Sequence, residues 1–161
     1  MIILGCAGFP VPATRYFKEF LFVEVQDTHV SPEAAGTIRR WKREAPKGFR
    51  FSLLAPKDIG QEGFRSGKVT ETALNTLLDV GKELSSKHAV FASPPEFAGG
   101  KNNKAILKEF FQSVSGKFER VIWEPSPAWD IGEAERLAQD SKVVCARDPL
   151  VHGMSKAPMR A

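Results

Sequence analysis

The sequence lacks the features that mark secreted, membrane-spanning or metal-stapled proteins. Its two cysteines, Cys6 and Cys145, have no metal-ligand spacing, so both are expected to be reduced thiols. No apolar run approaches the ~20 residues of a membrane helix. The apolar start, Met1 to Leu4, is too short for a signal peptide. We therefore expect a cytoplasmic protein with no membrane partner.

Strong charge of one sign is also lacking. The 161 residues carry a net charge of +4, with 42% hydrophobic and 26% charged residues, as in ordinary globular proteins. Lys101, Lys104 and Lys108 share one predicted helix face, which is more simply a solvated face than a nucleic-acid contact. Nucleic acid or phosphate is thus a permitted partner that the composition does not indicate. The length predicts one domain, residues 1–161, with a substantial core.

An apolar strand that carries a carboxylate stands out in the stretch from Leu21 to Thr28. The two-residue period of a strand puts Val23 and Val25 on one face and Glu24 on the other. A carboxylate in an apolar strand is costly unless it is paired, hydrogen-bonded or solvated at the strand end. Glu24 is therefore either a structural hydrogen-bond acceptor or a site residue at the carboxyl end of a parallel strand.

Strand and helix patterns alternate along the whole chain, and one further strand ends in a glutamate, Glu124. Strands are predicted near residues 2–5, 20–26, 49–54, 88–92, 119–124 and 143–147. Helices are predicted at 31–44, with Ser31 as its cap, at 69–84 and 102–113, and within 127–139. Residues 13–19 form one or two helical turns and 55–68 a long loop. The alternation predicts an α/β fold with a parallel sheet.

Short motifs in a fixed order carry a family resemblance. They are Gly5 to Phe9, Val23 to Thr28, Trp41 to Phe51, Ser93 to Phe97, Trp123-Glu124-Pro125 with Trp129, and Asp148-Pro149. In these motifs, which span nearly all of the chain, the sequence resembles the YecE-like family of unknown function. The resemblance implies a TIM-barrel-like (β/α) fold. It implies no activity, because the family has no settled activity to carry over.

Several positions depart from the family pattern. His29-Val30 stands in place of an aromatic pair, Leu54 in place of a lysine, and Ser126 in place of an arginine. The expected Thr-His pair is replaced by residues 58–61, and the family's later segment is absent. A barrel of the usual eight units needs more chain than this, so we expect about six strands. The chain would then be a fragment, an open barrel, or a barrel that a partner closes. A homo-oligomer is one way in which a partner could close it.

The barrel fold predicts where a site would lie. Sites in such folds occupy the carboxyl ends of the strands and the loops that follow. Glu24, Glu124 and Asp148 are the predicted catalytic residues of this rim. The predicted ligand-binding residues are Cys6, Gln26 and Thr28.

The chemistry of that rim is open to more than one interpretation. Its carboxylates, with His29 beside them, could hold Mg, Mn or Zn, or could form a general acid–base pair. The enzyme hypothesis is metal-assisted hydrolysis of a phosphoester or nucleic acid, with a small-molecule or phosphate-containing ligand. The alternative is a catalytically silent binding or scaffold module, which the replaced site-type residues favour. The sequence identifies neither a cofactor nor a particular metal.

Other conspicuous residues have simple structural interpretations. The three tryptophans, Trp41, Trp123 and Trp129, are expected to pack in the core or at its rim rather than to bind substrate. Cys145, inside an apolar strand, is expected to be a small buried hydrophobic side chain.

Overall fold

The computed structural model describes residues 3–153, in which parallel strands form a single sheet in chain order. The six strands are β1 Cys6–Ala7, β2 Phe22–Val25, β3 Arg50–Leu54, β4 His88–Ala92, β5 Arg120–Glu124 and β6 Val144–Cys145. Each strand pairs in parallel with the next. Within the described residues β1 and β6 pair on one side only, so the sheet is open. The predicted α/β, TIM-barrel-like fold with an open sheet of six strands is confirmed.

Helices connect the strands. Over residues 3–153 they are α1 Ala13–Tyr16, α2 Ala35–Glu44, α3 Lys57–Gln61, α4 Lys68–Leu84, α5 Lys101–Val114, α6 Ile131–Asp140 and α7 Pro149–His152. The long helix α4 forms because Leu74, Leu77 and Leu84 recur at helical spacing and are buried. It ends at Ser85, which adopts the left-handed conformation (φ 52°). At the start of α6 the Asp130 carboxylate accepts a 2.9 Å hydrogen bond from the Glu133 N–H.

The sheet has two faces of different character. On the outer face Val23 is in register with Phe51 and Val25 with Leu53, and all four are buried in one hydrophobic core with the helices. The opposite face, here called the inner face, carries Glu24, Ser52, His88 and Arg120, which are register partners on successive strands. Strand period two keeps every second residue on this inner face, toward the middle of the incomplete barrel.

The helix that follows β3 is packed closely against the sheet. A Cβ atom on Gly60 of α3 would lie 2.9 Å from the carbonyl oxygen of Ala92, the last residue of β4. Only glycine allows this approach, which places α3 at the carboxyl end of the strands. The same helix lies inside the loop predicted for residues 55–68, so that part of the prediction is wrong.

Two predicted element starts are also wrong. The first strand lies at Cys6–Ala7 and not at the predicted residues 2–5. Within that range, residues 3–5 are outside the sheet and the Leu4 side chain is 73% exposed, whereas a buried strand would cover it. Residue 2 lies outside the described chain. Helix α2 begins at Ala35 instead of at Ser31. The Ser31 backbone N–H instead donates to the Asp27 carbonyl oxygen (2.9 Å), continuing the 3₁₀ turn Asp27–His29.

The tryptophans behave as predicted. Trp41, Trp123 and Trp129 are all buried, and the last two pack edge to face with ring centroids 5.0 Å apart.

Between residues 3 and 153, no helix combines the length and the apolar character that crossing a membrane requires.

Candidate functional site at the carboxyl end of the strands

The rim at the carboxyl end of the sheet brings the two strand glutamates under each other's influence. Glu24 lies on β2 and is half-buried, and Glu124 ends β5 and is open to solvent on part of its surface. Partial burial raises the pKa of the Glu124 carboxyl, the negative charge of Glu24 raises this pKa further, and His29 opposes the shift. Glu24 and His29 therefore both act electrostatically on Glu124. No hydrogen bond joins the two carboxyls within the described residues.

Glu24 has a polar neighbour of its own. The Gln26 side-chain amide donates a 3.0 Å hydrogen bond to Glu24 Oε1, and Gln26 is exposed at the end of β2. The sequence left open whether Glu24 is a structural acceptor or a site residue. A single bond to an exposed side chain does not tie Glu24 to a neighbouring strand, so the geometry favours an accessible carboxylate.

His29 is oriented by the backbone of the next strand. Its Nδ1 lies 2.7 Å from the carbonyl oxygen of Ala55, just after β3. Because a carbonyl oxygen can only accept, Nδ1 is the nitrogen that carries a proton and donates. The other ring nitrogen, Nε2, is then the one that can exchange a proton or coordinate a ligand. His29 thus adds an imidazole of defined tautomer to the carboxylates.

Thr28 is held in a structural contact. It is 2% exposed, and its hydroxyl lies 2.5 Å from the Leu54 carbonyl oxygen and 3.2 Å from that of Val25. A hydroxyl has one proton, so the shorter contact to Leu54 is the principal hydrogen bond. This bond ties the turn after β2 to the end of β3. The ligand-binding role of Thr28 stays a prediction.

The remaining predicted site residues lie in other surroundings. Cys6 is in register with buried Val23, which places its side chain on the outer face, toward the helices. Asp148 caps α7, where its Oδ1 accepts a 2.8 Å hydrogen bond from the Leu150 N–H. Within residues 3–153, the hydrogen bond of the Asp148 carboxylate goes to α7 and not to Glu24 or Glu124. The roles predicted for Cys6 and Asp148 therefore stay predictions without a geometric link to the carboxylate pair.

The Cys145 side chain, expected to be buried, is half-buried and packs against the hydrophobic core. Burial raises its pKa to about 11, with a further rise from the Glu135 carboxylate that Arg147 partly offsets. Arg147 forms an ion pair with Glu135 that connects the segment after β6 to α6. The Cys145 thiol is therefore protonated at neutral pH and is not an activated nucleophile.

One important polar residue, at the amino-terminal starts of β1 and β2, was missed in the sequence. The Tyr16 hydroxyl accepts a 2.7 Å hydrogen bond from the Cys6 N–H and donates a 2.8 Å bond to the Phe22 carbonyl oxygen. It therefore joins β1 to β2 through a side chain. Its only sequence signal is that it is the single tyrosine of the chain, which by itself predicts no contact.

Two concave regions of about 540 and 480 Å³ are lined by residues other than the rim glutamates, one beside Phe9, Pro12 and Trp41 and the other beside Phe118 and Val143. Across residues 3–153, no group of three or more His, Cys, Asp or Glu side chains is arranged to hold a metal ion. A cation at the rim would need oxygen ligands from a substrate, from water or from chain beyond those residues.

Comparison with known proteins identifies relatives of this fold. The family model "Protein of unknown function DUF72" matches residues 13–145. A DUF72 family protein from Enterococcus faecalis V583 has a similar structure, with a TM-score of 0.69 and 18% identity over 90% of this chain and 61% of that one. A DUF72 family protein from Thermotoga maritima MSB8 is also similar, with a TM-score of 0.67 and 16% identity over 90% of this chain and 64% of that one.

A more distant structure and a negative result complete the comparison. A xylose isomerase domain containing protein from Salmonella typhimurium LT2 has a TM-score of 0.57 and 14% identity, over 89% of this chain and 60% of that one. Identities this low show the fold alone. The chain spans 60–64% of the length of these solved relatives. No curated protein matches the sequence.

Proposed function

We propose a function from the site itself, because the chain belongs to the DUF72 family, whose function is unknown. The carboxyl-end rim is a hydrolytic site in which Glu24 and Glu124 act as an acid–base pair. The observation that carries this proposal is the raised pKa of Glu124, caused by burial and by the charge of Glu24. Neighbouring carboxyls whose environments separate their proton affinities supply an acid and a base at one pH.

The two glutamates would have different roles. Glu124 keeps its proton to higher pH and is the proposed general acid, which protonates the leaving oxygen. Glu24, whose Oε1 accepts the hydrogen bond from the Gln26 amide, is the proposed base that activates water. His29, with Nδ1 fixed on Ala55, presents Nε2 as a second proton carrier. The predicted silent module would have the same fold without this proton transfer.

A second candidate is the metal-assisted form of the same hydrolysis, with a phosphoester as substrate. The charged groups that shift the pKa of Glu124 are Glu24 and His29, with no lysine or arginine among them. A phosphoester would therefore meet net negative charge unless a cation bridged it to the carboxylates. Mg²⁺ is commonly bound by one or two carboxylates together with substrate phosphate oxygens and water, a mode that needs no complete protein cage.

The test is hydrolysis of p-nitrophenyl phosphate, bis(p-nitrophenyl) phosphate and p-nitrophenyl acetate, each with EDTA and with Mg²⁺, Mn²⁺ or Zn²⁺. We expect Glu24→Gln and Glu124→Gln each to lower kcat/KM by about 100-fold or more, the usual weight of a general acid or base. Glu109→Gln, an exposed glutamate on α5, is the matched control and should act as wild type.

The outcomes separate the candidates. Turnover in EDTA supports the acid–base pair, and turnover only with a divalent cation supports the metal-assisted form. Turnover that neither glutamine variant changes contradicts the proposal. If none of the probes is hydrolysed under any condition, the silent module is the better account.

A further inference from the structure

The opposite, amino-terminal end of the inner face carries a cluster of basic side chains. Arg50, His88 and Arg120 are each the first residue of their strands, β3, β4 and β5. His88 and Arg120 are register partners, and Ser52, which is in register with His88, shares a face with Arg50 two residues before it. Four donor-bearing side chains on three neighbouring strands therefore point to one side of the sheet.

The charge in this region is positive on balance. Lys87 is paired with Glu119 through a 2.7 Å salt bridge, so these two exposed groups offset each other. Burial and the charges of Arg120, Arg50 and Lys87 lower the pKa of His88, and Glu119 acts in the opposite direction. Glu24 lies on the far side of Ser52 on the same face, in register with it. It is not among the groups that shift His88.

A second and independent feature points into the same place. Ser52 is 1% exposed, and its hydroxyl has no hydrogen-bond partner. Buried hydroxyls are nearly always paired, because an unpaired one loses its bonds to water and gains none in return. The unpaired Ser52 hydroxyl lies one strand from His88 and two residues from Arg50.

We propose that Arg50, Ser52, His88 and Arg120 form a binding site for an oxyanion, with the phosphate group as the preferred ligand. Guanidinium groups match phosphate oxygens in a two-pronged geometry. The Ser52 hydroxyl donates to one further oxygen, and protonated His88 donates another bond. Bound anion would offset the repulsion that the two arginines exert on protonated His88, so binding and protonation of His88 strengthen each other. Ser52 is the register neighbour of Glu24, but the site uses neither glutamate and does not depend on the proposed hydrolysis.

The experiment follows the His88 ring by NMR as inorganic phosphate is added to the full chain. The three histidines of the sequence can be told apart with single His→Gln variants. We expect a saturable shift of the His88 signals and a higher His88 pKa at saturation, with His29 and His152 unmoved. Sulfate, which is also a tetrahedral oxyanion, should shift the same His88 signals with lower affinity than phosphate.

Three variants make the test specific. Arg50→Gln should weaken phosphate binding by about tenfold or more, because it removes a charge-assisted hydrogen bond. Ser52→Ala should also weaken binding, yet leave the melting temperature unchanged or higher because a buried unpaired hydroxyl is removed. Arg39→Gln changes an exposed arginine on α2 and should bind phosphate as wild type does.

Three results would overturn the proposal. The first is a His88 signal that does not respond to phosphate, or that drifts without saturation. The second is an equal loss of affinity in Arg39→Gln and Arg50→Gln, which would mean attraction by net charge only. The third is unchanged phosphate affinity in both Arg50→Gln and Ser52→Ala, which would mean that the Ser52 hydroxyl bonds to an ordinary buried water and not to phosphate.

Discussion

The two ends of the inner face carry opposite charge although neighbouring strands supply both. Arg50, His88 and Arg120 begin three strands at the amino end, and Glu24 and Glu124 lie toward the ends of β2 and β5. Part of this sorting has a general cause. In a β/α unit the helix that follows a strand starts at the strand's carboxyl end, so helix N-termini with their partial positive charge favour carboxylates there.

The same comparison shows which end needs a ligand for its explanation. At the carboxyl end His29 and Thr28 are engaged by backbone carbonyl groups of the β3 end, and Glu24 by Gln26. Beside the basic residues, in the middle of β3 and in register with Glu24, the hydroxyl of Ser52 is buried and unpaired. Backbone contacts thus organise the acidic end, whereas the hydroxyl donor of Ser52, beside the basic residues, has no acceptor.

The largest effect is expected when the backbone support of the acidic end is removed. Thr28→Val keeps the shape of the side chain and removes the hydroxyl that donates to the Leu54 carbonyl. Since that carbonyl stays buried, we expect a loss of ~1–3 kcal/mol in the free energy of unfolding. Urea unfolding measures it. Thr72→Val, whose exposed hydroxyl bonds to Lys68 on α4, should change stability by no more than ~0.5 kcal/mol.

Equal stability of the two threonine variants would contradict this account of the acidic end. Thr28 would then be free for the ligand-binding role that the sequence predicts. If Thr28→Val loses stability as expected, the loss identifies a structural contact. Ligand binding by Thr28→Val and by the wild-type chain would then be compared only under conditions in which both proteins are folded.

A smaller, pH-dependent effect is expected at the basic end. The pKa of His88 in the folded chain lies below its ordinary value of 6.5, chiefly because of burial and Arg120. Its contribution to stability is therefore complete above pH 6.5 and is lost as the pH falls through the folded pKa. His88→Gln should remove this acid-induced loss, as judged from urea midpoints at about pH 8 and about pH 5.

The histidine controls make that result specific. His152→Gln, an exposed residue of α7, should keep the full loss of stability on acidification. Phosphate should reduce the loss in the wild-type chain if the anion site exists, because it favours protonated His88. An identical pH profile for His88→Gln and wild type would show that the basic cluster does not repel a proton from His88.

The sequence predicts the centre of this fold better than its edges. The strands β3, β4 and β5 lie within one residue of their predicted bounds, because each is an apolar run between clear breaks. β1 was misplaced because its strand is only two residues long and is joined to β2 through the Tyr16 hydroxyl, a contact without a local pattern. α3 was missed because a single helical turn with buried Ile59 and Gly60 is too short for periodicity.

The candidate sites divide in the same way. Glu24 and Glu124 could be selected from the sequence, since a carboxylate inside an apolar strand is unusual wherever the strand lies. The basic cluster could not, because a basic residue at a strand start is ordinary by itself. Only the register of β3, β4 and β5 shows that Arg50, Ser52, His88 and Arg120 share one face.

The smallest effect is expected from the glutamate pair, because Glu124 is partly open to solvent. Its pKa is raised above 4.5, so ionisation costs stability only once the pH exceeds that value, and the cost is complete above the folded pKa. Glu124→Gln should therefore be slightly more stable than wild type near neutral pH and equal to it at about pH 4. In a double-mutant cycle with Glu24→Gln, measured by urea unfolding, the coupling should be repulsive near neutral pH and absent in acid. Glu109→Gln serves as the second member of a control cycle and should show no coupling to Glu124. Coupling that persists in acid would come from packing and not from charge. It would then give no electrostatic support to the proposed acid–base pair.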